Sequence, residues 1–324
     1  MMAKHAIYAT IAALVLGLGA ITPAVPESYP ARVIRIIAPY TPGSPNDVMV
    51  RLLAQHMQTG LGQPIIIDNR PGGGTTIGTK AAAIANPDGY TLLFVSSSLV
   101  IDPALHKKSD YDPLKDFAPI AAVATSPWIL AVAPEVPAKT VQEFVAYAKA
   151  NPGKLSFGFA QGTASQLVGE WFKVLHGLDI ISVPYKGGAL AMPDLLAGRI
   201  QMLLPTPATV LQHIQEGKLR PLAITGTARS ADLPAVPTMS ESGMPQLTLD
   251  FWAGMLAPAG TPPEIISKLN AVINESLQSP AMKTSMKKLG FEAKIGSPQD
   301  FANFIGVELP KWANIVKSSG VKAD

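Results

Sequence analysis

Apolar and polar positions along this 324-residue chain switch repeatedly between two patterns. Short, nearly continuous apolar runs recur: "RVIRIIAP", "PIIIDN", "TLLFVSS", "PWILAVAP", "LSFGFA", "ISVPY", "QMLLP", "PLAIT" and "DFWAGMLAP". Runs of this length and density fit strands covered by helices on both faces. Between them the apolar residues take helical spacing, as Val48, Leu52, Leu53 and Met57 do after the turn "YTPGS". Strand–helix alternation of this kind predicts an α/β protein.

Several helix starts are marked. Ser44-Pro45-Asn46-Asp47, Thr140-Val141-Gln142-Glu143, Thr261-Pro262-Pro263-Glu264 and Ser297-Pro298-Gln299-Asp300 all place a hydroxyl at the N-cap and an acid three residues on. The hydroxyl accepts from a first-turn N–H and the acid reaches back to the cap. Three of the four add a proline at the first helical position, where its missing N–H costs nothing. No repeat of fixed period and no low-complexity tract is present, which sets solenoids aside.

No polar linker divides the chain. Two long apolar stretches, 118–134 and 248–260, instead suit crossings between two lobes. The reading is a discontinuous outer lobe, residues 27–122 and 254–324, and an inserted lobe, residues 123–253. Such lobes enclose a cleft with a two-strand hinge.

Composition narrows the class. Hydrophobic residues make up 48 % and charged residues 15 %, enough for a large core and against disorder. The formal charge is +3 with no run of more than two Lys or Arg, so nucleic acid is not an expected partner. Near the N-terminus, Lys4 precedes fifteen uncharged residues, Ile7 to Ile21, followed by small and polar ones. A membrane-spanning helix needs about 20 apolar residues, so the run reads as an export signal over residues 1–26 rather than a span. With no cysteine, disulfides and attachment of a lipid through cysteine are excluded. The expectation is an exported, soluble protein.

Catalytic and metal-binding patterns are sparse. Among the five histidines no two have metal-ligand spacing, and no G-x-S-x-G elbow occurs. "RPGGGTTIGTK" follows a strand and precedes a helix, but its Thr79-Lys80 stand in the wrong order for a phosphate loop. Its third dinucleotide-fingerprint glycine falls on Ile77. No cofactor and no metal are therefore expected.

One kind of turn does carry chemistry. Tyr40-Thr41-Pro42-Gly43-Ser44 leads from a strand end into a capped helix. In open α/β sheets ligands bind beyond the carboxyl ends of the strands, and first-turn N–H groups favour an anion there. Asp47 one turn on disfavours a highly charged phosphate and leaves a small carboxylate as the better fit. "FAQGTASQLVGEWF" and "VPYKGGALAMPDLLAGRI" repeat the layout in the middle of the chain.

These segments, taken in order with "LGQPIIIDNRPGGGTTIGTKAAAIANPDGYTLLFVSSS", "YDPLKDFAPIA", "LPAVPTMSESG" and "APAGTP", resemble the Bug-type extracytoplasmic solute receptors of tripartite tricarboxylate transporters. The likeness runs from about Tyr29 to the C-terminus and includes an Asp-x-x-x-Arg helix, here Asp47 and Arg51. It implies a periplasmic, two-lobed binding-protein fold of type II-like form and capture of a small organic carboxylate. It also implies a membrane permease of one large and one small subunit as partner, and no enzymatic activity; a monomer is expected. Carried over residue by residue, it points to Tyr40, Thr41, Pro42, Gly43 and Ser44 in one lobe. In the other it points to Gly162, Thr163, Ser165, Tyr185, Lys186 and Gly187. Arg51, two helical turns beyond Ser44, is expected to point away from the cleft. Gln166 stands where relatives often have histidine. The alternatives are a receptor that signals to a membrane kinase and an exported hydrolase or isomerase.

Overall fold

The computed structural model describes residues 29–106, 109–160, 163–185 and 187–321; the expected signal segment lies outside them. All nine strand-like runs form strands, and they are shared between two sheets. The first sheet has the order β11-β4-β10-β3-β1-β2, built from β1 (Ile34–Ala38), β2 (Ile65–Asn69), β3 (Thr91–Ser96), β4 (Phe117–Pro127), β10 (Asp250–Pro258) and β11 (Glu292–Ala293). The second, β7-β6-β8-β5-β9, uses β5 (Ile129–Val132), β6 (Leu155–Ala160), β7 (Ile180–Tyr185), β8 (Met202–Leu203) and β9 (Arg220–Ile224).

In each sheet three strands are parallel: β2, β1 and β3 in the first, and β7, β6 and β8 in the second. Every one of these six runs into a turn and then a helix. The first sheet feeds α1 (Pro45–Leu61), α2 (Thr76–Ala83) and α3 (Ser98–Leu105). After α4 (Val141–Ala150), the second feeds α5 (Ala164–His176), α6 (Gly188–Leu196) and α7 (Pro207–Gln215). Parallel pairing puts the three carboxyl ends of each group on one edge of its sheet.

The continuous apolar runs follow from burial on both faces. Ile34, Ile36, Leu92, Phe94 and Met255 turn to the side covered by α1 and by α8 (Pro263–Gln278). The intervening Ile37, Leu93, Val95, Trp252 and Leu256 belong to a separate core that continues into the second sheet. The period-two alternation of a strand thus divides the chain's apolar residues between two cores. After α9 (Pro280–Lys288), the long C-terminal helix α10 (Pro298–Ser319) joins that shared core and packs on both α3 and α5. Gly254 on β10 makes room for it, since a Cβ there would enter the ring of Phe301.

The chain changes sheets twice at one place. β4 ends at Pro127 and β5 begins at Ile129; β9 ends at Ile224 and β10 begins at Asp250. Thr225, fully buried, ties the two passages together. Its N–H donates to the Trp128 carbonyl, its hydroxyl accepts the Trp128 N–H, and its carbonyl accepts the Leu249 N–H, each at 2.9 Å.

Three of the four helix starts read from sequence carry their cap. Ser44 accepts from the Asp47 N–H, Thr140 from Glu143 and Ser297 from Asp300, the last as a complete capping box. Thr261 is a correction. Its hydroxyl donates back to the Pro258 carbonyl at 2.8 Å, so α8 starts beyond it with Pro262 at the N-cap.

Candidate functional site

Tyr40 to Ser44 form the turn between β1 and α1. Tyr40 points inward, and its hydroxyl accepts the Ser96 N–H at 2.7 Å. That bond joins the end of β1 to the end of β3. Burial pushes the phenol up from its ordinary pKa, while hydrogen bonds with Ser96 and Ser98 pull partly the other way, so Tyr40 is neutral at physiological pH. Gly43 has φ +80°, the left-handed region in which glycine avoids a Cβ penalty, and a Cβ there would meet only open space.

The turn's donors are partly committed. The Gly43 N–H donates to Asp47 Oδ2 at 2.8 Å and the Ser44 N–H to the Thr41 carbonyl at 3.2 Å. Pro42 and Pro45 have none. Among the described residues this leaves the Tyr40, Thr41 and Asn46 N–H groups uncommitted, a narrower set than the sequence suggested. Asp47, read from sequence as disfavouring a highly charged phosphate, is the internal acceptor of the turn. Burial opposes its ionisation, but hydrogen bonds from Arg51, Gly43 and Asn69 outweigh burial and hold its carboxyl below the usual range. Arg51 folds back onto Asp47 and Asn69.

Among the described residues, the N-cap residues of α5, α6 and α7, the helices fed by the parallel strands of the second sheet, make no side-chain cap. The Thr163 hydroxyl, at the N-cap of α5, donates to the Ala160 carbonyl at 2.7 Å and lies 3.0 Å from the Ser165 hydroxyl. It therefore caps none of the first-turn N–H groups. Gly187 is the extended N-cap of α6, and it too has no side chain to offer. The strand ends that lead toward α5 and α6 are adjacent, because Ala160 pairs with Tyr185 in the β6–β7 ladder. The Tyr185 hydroxyl donates to Asp194 Oδ2 at 2.7 Å, and burial with that bond pushes the phenol up to about 12. Its ring lies over Gly158. Gly162 and Lys186 lie outside the described residues; Gln166 sits in the first turn of α5.

Two turns of the same kind escaped the sequence reading. Ser96-Ser97-Ser98 links β3 to α3, and Pro205-Thr206 links β8 to α7, whose N-cap Thr206 also makes no side-chain cap. The signal was there in "FVSSSL" and "LLPTPAT", each an apolar strand end, small hydroxyl residues and a helix. Among the described residues, no group of three His, Asp or Glu could hold a metal ion, and no helix is long and apolar enough to cross a membrane.

A family model described as the tripartite tricarboxylate transporter family receptor matches residues 49–321. The chain belongs to that family. This receptor is 39 % identical to BugT of Bordetella pertussis (strain Tohama I) over 317 residues, covering 97 % of each chain. Among solved structures it resembles R. palustris Rpa4515 with adipate, at 31 % identity and a TM-score of 0.79, over 91 % of this chain and 99 % of that one. It also resembles MatC (Rpa3494) of Rhodopseudomonas palustris with bound malate, at 30 % identity and a TM-score of 0.75, over 89 % of this chain and 100 % of the other. The receptor therefore has the two-lobed α/β fold of periplasmic binding proteins.

Proposed function

We propose that this receptor captures a small organic carboxylate between the two groups of strand-end turns and delivers it to a membrane permease of a large and a small subunit. One observation carries the reading. Among the described residues, the N-cap residues of α5, α6 and α7 make no side-chain cap, and the turn before α1 keeps three N–H groups uncommitted. Uncapped N–H groups at a helix start favour an anion, and backbone donors suit a carboxylate that needs no buried arginine. The adipate and malate held by Rpa4515 and MatC support the same ligand class.

In this reading one lobe contributes Tyr40–Ser44, with Tyr40 as a buried brace rather than a ligand. The other contributes Gly162–Ser165, Lys186 and Gly187, with Tyr185 bracing α6 through Asp194. The lobes, residues 27–122 with 254–324 and residues 123–253, close about the Thr225 crossing. The sheet membership of β4 and β10 favours moving those borders outward to about 127 and 250. The mature protein acts in the periplasm as a monomer, without a metal or cofactor.

A thermal-shift screen against C4 to C6 dicarboxylates, tricarboxylates and the corresponding amides tests the ligand class. An acid at 100 times its Kd adds about 2.7 kcal/mol of stability. Stabilisation by the amides and not by the acids would overturn the proposal.

A further inference from the structure

Asn69 is the last residue of β2, beside β1, and its amide makes three hydrogen bonds. Nδ2 donates to the Tyr40 carbonyl at 3.1 Å and to Asp47 Oδ1 at 2.7 Å, and Oδ1 accepts from Arg51 Nη2 at 2.7 Å. The partners fix the orientation of the amide. Flipping it would set the NH2 group against a guanidinium and the oxygen against a carboxylate and a carbonyl. Asp47 is almost wholly buried, and its other oxygen is filled by the Gly43 N–H at 2.8 Å and Arg51 Nε at 3.0 Å. One side chain on a neighbouring strand thus grips the ligand turn at both ends. It holds Tyr40 directly and Gly43 through Asp47.

We infer that Asn69 is a positioning residue for ligand capture: through Tyr40 and Asp47 it holds the Tyr40–Ser44 turn with the Gly43 N–H turned inward and the Tyr40, Thr41 and Asn46 N–H groups left for the ligand. The inference rests on the carboxylate reading above for what the turn holds, but not for how the turn is held. Without the amide, Asp47 loses its only donor on Oδ1 among the described residues, and the Tyr40 carbonyl loses its side-chain donor. The turn then has fewer restraints on the side facing β2. A ligand site made of backbone donors depends on their placement within a fraction of an ångström, so loosening the turn weakens capture more than it weakens the fold.

The test compares Asn69→Ala and Asn69→Ser with Asp68→Ala, a surface control on the same strand that bonds Arg35 and Arg70. Two readouts are taken: the Gly43 amide in a nitrogen–proton correlation spectrum, and calorimetric titration with malate and with adipate. The inference expects the Gly43 amide proton to lie downfield and exchange slowly in the parent chain. In Asn69→Ala it moves upfield and exchanges faster, with Asn69→Ser between the two. Affinity for whichever acid binds the parent falls at least tenfold in Asn69→Ala, while its melting temperature falls no further than that of Asp68→Ala. A Gly43 amide unmoved in both Asn69 variants, or an affinity within twofold of the parent, would overturn the inference. If neither acid binds the parent chain, the ligand reading fails for those acids, and the Gly43 amide alone decides the positioning role.

Discussion

The hydroxyl of Tyr40 and the backbone N–H of Ser96 meet at 2.7 Å, fastening the turn after β1 to the end of β3. Ser96 is buried, so its N–H has no access to bulk water. Tyr40→Phe removes the acceptor and leaves that donor unpaired, which costs about 1–3 kcal/mol. Chemical denaturation of the variant is expected to show a loss in that range. A variant as stable as the parent would mean that the bond is not made in solution.

Glu308 on α10 is a second fastening point. Its buried carboxylate accepts from the indole N–H of Trp252 at 3.1 Å and of Trp312 at 2.8 Å, and pairs with Lys311 at 3.0 Å. Glu308→Ala strands two buried donors where the helix meets β10. The expected loss is about 3–5 kcal/mol, with a matching change in tryptophan fluorescence. Glu308→Gln keeps an acceptor for the indoles and is expected to lose less.

Asp250 gives the molecule a pH signature. It lies where β10 meets the end of β4, and among the described residues its buried Oδ1 has no hydrogen-bond partner. Burial pushes the carboxyl up to about 6; Lys311 and Lys294 pull against the rise, and Glu292 and Glu308 add to it. A folded-state value above the unfolded one means the associated stability is fully present below about pH 4. It is lost as pH rises through about 6. Asp250→Asn is therefore expected to be more stable than the parent at pH 7 by about 1–2 kcal/mol, allowing for partial exposure, and equal to it near pH 4. Denaturation curves at the two pH values check the sign.

Thr75 carries strain that can be released. It has φ +93° in the glycine-rich turn before α2, and among the described residues its buried hydroxyl has no partner. A β-branched residue in the left-handed region is costly. Thr75→Gly is expected to raise stability by about 1 kcal/mol, after the extra chain entropy of glycine is subtracted. A melting temperature at or below that of the parent would contradict the strain.

Much of this architecture could be read directly. Strands buried on both faces announce themselves as unbroken apolar runs, and Ser44, Thr140 and Ser297 announce their helices because an N-cap is a local bargain between neighbours. What stayed hidden was non-local. The stretch 118–134 suits a crossing, but the point of the switch, where Pro127 closes a strand of the first sheet and Ile129 opens one of the second, is set by pairing with distant strands. The two-residue β11 leaves no periodicity to detect. At the site, the turns were visible as sequence, but the fate of their N–H groups was not. Nothing in "TPGSPND" says that Asp47 reaches back to Gly43, or that Arg51 one turn along the helix and Asn69 from another strand both bond to its carboxylate.

The central claim is that backbone donors at these turns hold a carboxylate. Calorimetric titration with each dicarboxylate that stabilises the receptor, repeated with its dimethyl ester and at pH values from 5 to 8, tests it most directly. The account predicts binding of the dianion, a loss of at least a hundredfold for the ester, and affinity that survives a chelator unchanged. Equal affinity for acid and ester, or binding that disappears with the chelator, would contradict it.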